Sequence, residues 1–396
     1  MRCLQNEGVD LIFGYPGGAA LHIYDALFQQ NYLSHVLVRH EQGAVHAADG
    51  YSRATGRPGV CLVTSGPGAT NAITGLATAY MDSIPVIVIS GQVRSELIGT
   101  DAFQETDMIG LSRPIVKHSF LVKDPNQLAL AFKQAFHIAT TGRPGPVVID
   151  VAKDATEPSI KVPFNYPEKI RMRSYNPPVS ANIPQVRRAA EAIRKAKQPV
   201  IYAGGGVVLG NASAQLMELA QLCDTPVTNT LMGLGAFPGT HPRFLGMLGM
   251  HGTYEANMAM HHSDLIIAIG ARFDDRVTNT PSKFAPDAQI IQIDVDTSNI
   301  GKIIQPDIPI VGPASKIMAA LSKELTQKPC QPGKLQLWHK QIAEWRSQHG
   351  LNHQMHTQMD DDKPILPQTA VQLVYELTQG DAFVTSDVGQ HQMFAA

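Results

Sequence analysis

The chain has 396 residues, enough for two or three domains, and with 44% hydrophobic and 17% charged residues it is an ordinary globular mixture with no disordered bulk. Its 32 Lys+Arg nearly balance 34 Asp+Glu, and a formal charge of −2 gives no sign of a nucleic-acid stripe or a polybasic membrane surface. The apolar runs are too short to span a bilayer and the first residues do not resemble a signal peptide. Cys3, Cys61, Cys223 and Cys330 lie scattered without CxxC spacing, which fits a reducing, cytoplasmic compartment and not a disulfide frame or zinc site.

From the start to about residue 154, short aliphatic runs alternate with helical stretches. A strand is predicted over 9–14, turned by Tyr15-Pro16-Gly17-Gly18 into a helix over 21–29, then a strand over 36–38. An Ala-rich helix over 41–55 is stopped by Gly56 and Pro58. A strand over 60–64 turns at Ser65-Gly66-Pro67-Gly68 into a helix over 71–81, and strands over 86–89 and 147–151 follow. Near-continuous aliphatic strands separated by helices predict a parallel sheet covered on both faces. Residues 157–178, rich in Pro and Arg and without periodicity, read as a linker. A second series has a helix over 183–196, a strand over 199–203 entering Gly204-Gly205-Gly206, and strands over 264–269 and 289–295. A polar connection over 327–364 includes a helix around 338–345; a third series opens with a helix over 367–377 and a strand over 382–386. The expected fold is α/β. Two doubly wound parallel-sheet domains, 1–157 and 179–326, are separated by a linker at 158–178 and followed, after a second linker at 327–363, by the truncated start of a third domain at 364–396.

Arg39-His40-Glu41-Gln42-Gly43 sits where a strand enters a helix. On spacing alone, a Glu there is accounted for by the helix dipole, and His40-Glu41 to His46 is not a zinc-protease spacing. Ser65-Gly66-Pro67-Gly68 reads either as a plain tight turn or as a loop offering backbone N–H groups to an anion. Val63 stands where a nucleophile elbow needs glycine, so Ser65 is not such a nucleophile. Gly204-Gly205-Gly206 with Gly210 departs from GxGxxG but suits a phosphate approaching the backbone. Asp294, near the carboxyl end of a strand, stands where a carboxylate takes ribose hydroxyls in an open parallel sheet. His349, His353 and His356 have helical spacing, but Gly350 and Asn352 weaken that helix and a metal role is the weaker reading. Met247, Met250, Met258 and Met260 read as packing residues.

Several strings occur together and in order: Tyr15-Pro16-Gly17-Gly18, Arg39-His40-Glu41-Gln42, Thr64-Ser65-Gly66-Pro67-Gly68-Ala69-Thr70-Asn71 and Gly99-Thr100-Asp101-Ala102-Phe103-Gln104-Glu105. Gly142-Arg143-Pro144-Gly145-Pro146-Val147, Leu231-Met232-Gly233-Leu234-Gly235, Leu248-Gly249-Met250-His251-Gly252, Arg272-Phe273-Asp274-Asp275-Arg276 and Asp387-Val388-Gly389-Gln390-His391-Gln392-Met393 complete the series. Over its whole length the chain resembles the large catalytic subunits of the acetohydroxyacid (acetolactate) synthases.

The resemblance implies a thiamine-diphosphate transferase that decarboxylates pyruvate and passes the two-carbon unit to pyruvate or 2-oxobutyrate in valine, leucine and isoleucine biosynthesis. The first domain would bind the aminopyrimidine, the second FAD in a structural role, and the third the diphosphate and Mg²⁺. Glu41 would hydrogen-bond the aminopyrimidine ring nitrogen and favour the imino tautomer that deprotonates the thiazolium. Gly18, Phe103, Gln104 and Lys153 would line the reaction cavity, with Lys153 attracting anionic 2-oxo acids. Arg143, Gly204, Gly205, Gly206, His251, Gly252, Thr253, Gly270, Ala271, Arg272, Asp294, Val295 and Gly312 match flavin-binding positions, and Gln390 and His391 open the diphosphate site. A homodimer or homotetramer, with or without a small regulatory subunit, is implied.

Three departures stand out. Arg94 and Ala152 replace prolines near the access channel, and the GDG…N segment that supplies magnesium ligands does not occur. The expectation is therefore that these 396 residues alone do not make acetolactate. Two alternatives are a related thiamine-dependent pyruvate oxidase or carboligase and a non-catalytic flavin-binding fragment. The Phe103-Gln104-Glu105 run and the Arg272-to-Arg276 string argue against the first.

Overall fold

The computed structural model describes residues 1–350 and 364–396. The chain divides into two compact units, Met1–Pro177 and Pro178–Ala396. Each is built on a six-stranded sheet in which every described pair is parallel.

In the first unit the strands are β1 (Leu11–Gly14), β2 (Ser34–Leu37), β3 (Gly59–Val63), β4 (Val86–Gln92), β5 (His118–Val122) and β6 (Val147–Ala152), in the spatial order β2-β1-β3-β4-β6-β5. β3, β4 and β6 are buried along their whole length, whereas the edge strands β2 and β5 are partly exposed. Helices cover both faces, so alternate residues enter different cores. Leu62, Ile87 and Ile149 pack with Phe132 and Phe136 of the Leu128–Thr140 helix. Val63, Val88 and Val148 pack with Ala44, Val45 and Ala48 of the Glu41–Thr55 helix and with Leu76 of Ile73–Asp82. Each fully buried aliphatic side chain contributes about 1.5–3 kcal/mol. Gly75 permits a close helix crossing, since a Cβ there would lie 2.5 Å from the Cβ of Val45.

The helix predicted over 71–81 is two helices, Pro67–Asn71 and Ile73–Asp82. Proline at the first helical position lets the helix begin inside the Ser65–Gly68 turn. Residues 157–178 form no helix or strand, and side chains anchor them to the first unit: Tyr166 Oη donates to Glu7 Oε1 at 2.6 Å and Tyr175 Oη to the Thr141 carbonyl at 2.6 Å.

In the second unit the strands are β7 (Pro199–Ala203), β8 (Val227–Asn229), β9 (Phe244–Met247), β10 (Leu265–Ile269), β11 (Gln289–Asp294) and β12 (Ile308–Val311), ordered β12-β11-β10-β7-β8-β9. On one face Ile201, Ile267 and Ile291 meet Val186, Leu216 and Leu321 from the Ile183–Lys195, Ser213–Cys223 and Ala314–Gln327 helices. On the other, Tyr202 and Ile266 meet Trp338 and Ile342 of the Gln336–His349 helix, and Trp338 Nε1 donates to the Pro199 carbonyl at 3.1 Å.

That helix ends at His349, with Gly350 extended, while His353 and His356 lie outside the described residues. The Pro367–Thr378 and Gln390–Ala395 helices bury no residue. The strand predicted over 382–386 does not form. Phe383 and Val384 are exposed, and a β-strand exists only where a neighbour takes its hydrogen bonds, which no described strand does here. No described helix is long and apolar enough to cross a membrane. Met247 and Met260 are buried as packing residues, but Met250 is exposed.

Candidate functional site

In each sheet strand addition crosses from one side of the first strand to the other, and the loops on either side of that reversal diverge to leave a crevice at the carboxyl ends. In the first sheet the reversal lies between β1 and β3. The turn after β1 carries Gly17 and Gly18, and the turn after β3 runs from Thr64 to Gly68. Ala19 N–H donates to Thr64 Oγ1 at 3.2 Å, and a Cβ on Gly17 would lie 2.5 Å from Thr64 Cγ2, so only glycine lets these turns close together. Gly18 faces open space.

Glu41 is the first residue of the Glu41–Thr55 helix. His40 Nδ1 already accepts the Gln42 N–H at 3.1 Å, so the helix is capped without help from the Glu41 carboxylate. Glu41 is 8% exposed, and Asn71 Nδ2 donates to its Oε2 at 2.9 Å. Oε1 has no hydrogen-bond partner among the described residues, and a Cβ on Gly68 would come within 3.2 Å of it.

The loop after β4 folds back over this turn. Gly66 has φ +56°, and a Cβ there would lie 2.6 Å from the Gln104 carbonyl oxygen. Gln104 is itself left-handed, at φ +57°, and Phe103 is 89% exposed. The loop is braced internally by Glu105, whose carboxylate accepts the Gly99 and Ala102 N–H groups and is thereby held below the usual carboxylate range. Glu41, the Gly17-Gly18 turn and Gln104 thus meet around Thr64–Gly68. Lys153, half-buried, follows β6 at the same carboxyl edge. Ala152 ends β6 and is fully buried, whereas Arg94 lies on the surface, paired with Glu96 at 2.7 Å.

The second sheet reverses between β7 and β10. Gly204, Gly205 and Gly206 follow β7, and Gly270, Ala271 and Arg272 follow β10. Gly206 N–H donates to the Gly270 carbonyl at 3.1 Å, and a Cβ on Gly206 would lie 2.7 Å from Gly270 Cα. A Cβ on Gly204 would overlap the Gly270 carbonyl, and Gly205 rests on Met232. The glycines are therefore required first by backbone packing on backbone. Next along the edge, Asp294 ends β11. Its Oδ1 accepts the Asp296 N–H at 2.8 Å, its carbonyl accepts the Gly312 N–H at 2.9 Å, and Val295 follows it. His251, Gly252 and Thr253 follow β9, where Thr253 Oγ1 caps the Tyr254–His261 helix and His251 is exposed.

All of these positions share the carboxyl edge of one sheet, but Arg143 does not. It precedes β6, at the amino edge of the first sheet, and its Nε donates to Ser83 Oγ at 2.7 Å. Gln390 and His391 begin the Gln390–Ala395 helix, exposed, beside the Pro367–Thr378 helix. No three His, Cys, Asp or Glu side chains come together to hold a metal ion among the described residues.

Sequence reasoning passed over two polar residues at these edges. Asn71 was visible as the last residue of a quoted string, but its partner stands 30 positions earlier. Asn229, the last residue of β8, is fully buried with neither amide atom partnered, a group that a bound ligand or water would satisfy.

Residues 1–111 match the family model described as the thiamine pyrophosphate enzyme N-terminal TPP binding domain, and residues 186–321 match the thiamine pyrophosphate enzyme central domain. The whole chain is 53% identical to acetolactate synthase isozyme 3 large subunit of Escherichia coli, spanning 68% of that protein. It is 54% identical to the acetolactate synthase large subunit of Buchnera aphidicola (subspecies Schizaphis graminum), spanning 68%. To a probable acetolactate synthase large subunit of Methanocaldococcus jannaschii it is 47% identical, over 67% of that chain.

Proposed function

The chain belongs to the acetolactate synthase large-subunit family, and from that premise we propose which of its side chains carry the reaction. It is the catalytic subunit of a thiamine-diphosphate-dependent acetolactate synthase, acting on pyruvate in branched-chain amino-acid biosynthesis. Thiamine diphosphate, when bound, would supply a nucleophilic carbon and an electron sink for the decarboxylation of a 2-oxo acid.

Glu41 is assigned the proton at the aminopyrimidine ring nitrogen. The observation that carries this is the divided carboxylate: Asn71 occupies Oε2, and Oε1 is left as an unpartnered acceptor at the reversal point of the first sheet. Burial strengthens a hydrogen bond made there. Gly18 leaves room beside the turn, Phe103 and Gln104 form the loop side of the cavity, and Lys153 supplies a positive charge for the carboxylate of a 2-oxo acid. Both pyruvate and 2-oxobutyrate serve as acceptors in this reading.

In the holoenzyme Glu41→Gln is expected to lower acetolactate formation by roughly 10²–10⁴-fold. Thiamine-diphosphate affinity measured by calorimetry should change far less. An unaltered rate would remove Glu41 from the mechanism.

For the second unit we propose FAD in a structural role. It would be held by Gly204, Gly205, Gly206, His251, Gly252, Thr253, Gly270, Ala271, Arg272, Asp294, Val295 and Gly312. The unsatisfied Asn229 amide and the lie of these residues along one carboxyl edge, with Gly204 to Gly206 and Gly270 to Arg272 flanking the reversal point, support this reading. Arg143, at the amino edge of the first sheet, draws its assignment from the resemblance alone. Gln390 and His391 are assigned to the diphosphate, whose Mg²⁺ would be held by groups other than the described residues. A cytoplasmic homodimer or homotetramer, with or without a small regulatory subunit, completes the proposal.

A further inference from the structure

A buried polar knot lies behind the loop that carries Phe103 and Gln104. Asp150, in β6, is 1% exposed and stands in register beside Ser90 of β4. Ser90 Oγ donates to Asp150 Oδ1 at 2.6 Å, and Gln92 Nε2 donates to Oδ2 at 3.0 Å. The same Gln92 nitrogen donates to the Thr106 carbonyl at 2.8 Å, while Gln92 Oε1 accepts the Val93 N–H at 2.8 Å. One amide therefore ties the two ends of the 93–106 loop together. Its orientation is dictated by Asp150, because the flipped amide would set its oxygen against a carboxylate and a carbonyl. The loop is fixed once more at Ser95, whose N–H and hydroxyl donate to Asp154 Oδ1 at 2.8 and 3.1 Å.

A carboxyl at this depth costs more than an apolar residue of the same shape, so stability does not account for it. We propose that Asp150 is a positioning residue: acting through Gln92, it sets how the 99–106 loop, and with it Phe103 and Gln104, lies over the turn at Gly66 beside Glu41. This rests on the reading that Phe103 and Gln104 line the reaction cavity.

Burial pushes the Asp150 carboxyl up to about 7, although the Ser90 and Gln92 hydrogen bonds oppose the rise; the nearby charge of Asp107 adds to it. Its other neighbours do not titrate: Val148 and Ala152 flank it on β6, Leu121 stands in register on β5, and the packed Met108–Ser112 helix contributes buried Met108 and Ser112. The ionised carboxylate grips Gln92 with a charge-assisted bond, and the neutral acid grips it less. The loop is accordingly held best above neutral pH.

The test uses the holoenzyme with Asp150→Asn, which fixes the neutral form, and Gln92→Leu, which removes the amide. Hydrogen exchange at the amides of residues 99–105 is expected to quicken by about tenfold in both. The KM for pyruvate should rise about five- to tenfold, with kcat less affected, and the double variant should be no worse than either single one. Wild-type KM should rise as pH falls through neutrality, and Asp150→Asn should lack that rise. Unchanged loop exchange in Asp150→Asn, additive effects in the double variant, or a wild-type pH profile would each overturn the proposal. Gln104→Ala with unaltered KM, alongside the expected exchange results, would instead reject the cavity reading and leave the brace standing.

Discussion

Two carboxylates of the first unit show how burial and partners assign different work to the same group. Glu41 keeps one oxygen unpartnered among the described residues, whereas Asp150 spends both oxygens on its own fold. The Asp150 arrangement has a consequence for stability whose sign is fixed. Its carboxyl titrates near 7 in the folded chain against an ordinary value of 3.8, so the folded state binds this proton more tightly than the unfolded state does. The stabilisation linked to it is fully present below about pH 4 and is lost as the pH rises through about 7. Asp150→Asn removes that loss. At about pH 8 the variant is expected to melt at or above the wild-type temperature, and near pH 5 to lose its advantage. Thermal melts of both proteins across this range check it, and a variant markedly less stable at alkaline pH would show that the carboxylate is structural.

At the scale of elements, what was legible in the sequence was whatever burial dictates locally. β3, β4, β6, β7 and β10 are covered on both faces and read as near-continuous aliphatic runs. β5, β8, β9 and β12 were missed because they are short or half-exposed, and pairing with a neighbour, not composition, makes them strands. The run over 382–386 shows the converse, a stretch with strand-forming residues that no described strand pairs and that forms no strand. The site followed the same division. Glu41 could be picked out in one string, but Ser90 and Asp150 stand 60 residues apart and only sheet order joins them. The glycines at the second crevice were legible as a string, yet their reason, one backbone against another, required the fold. Gly270→Ala would place a Cβ 2.5 Å from Gly206 Cα at φ +57°, combining collision with left-handed strain. Gly333→Ala has the same kind of strain, at φ +71°, but meets only the movable tip of Gln336. The first is expected to destabilise the second unit by about 3 kcal/mol and to strip copurifying flavin, the second by about 1 kcal/mol with flavin retained. Equal losses of flavin in the two variants would contradict the assignment of this crevice.

For the whole molecule, the two units carry separate cores, and the tryptophans happen to report on one of them. The chain has two, Trp338 and Trp345, both in the Gln336–His349 helix that closes a face of the second sheet. Trp338 is buried against Pro199, and the two rings meet edge-on with centroids 5.7 Å apart, so loss of that packing changes their fluorescence. Tryptophan emission therefore follows the melting of Pro178–Ala396 alone, while Met1–Pro177 contributes none. A ligand raises the melting temperature of the unit it binds by mass action, about 2.7 kcal/mol at a free concentration 100 times its Kd. For a unit of this size that is a shift of roughly 5–10 °C. FAD is expected to raise the tryptophan-detected midpoint by this amount, and Asn229→Ala, which removes the unpartnered buried amide, to reduce the shift. Glu41→Gln should leave the FAD shift intact, because its carboxylate belongs to the other unit. A midpoint indifferent to FAD would detach the flavin from the second unit, and with it the reason given for the residues along that crevice.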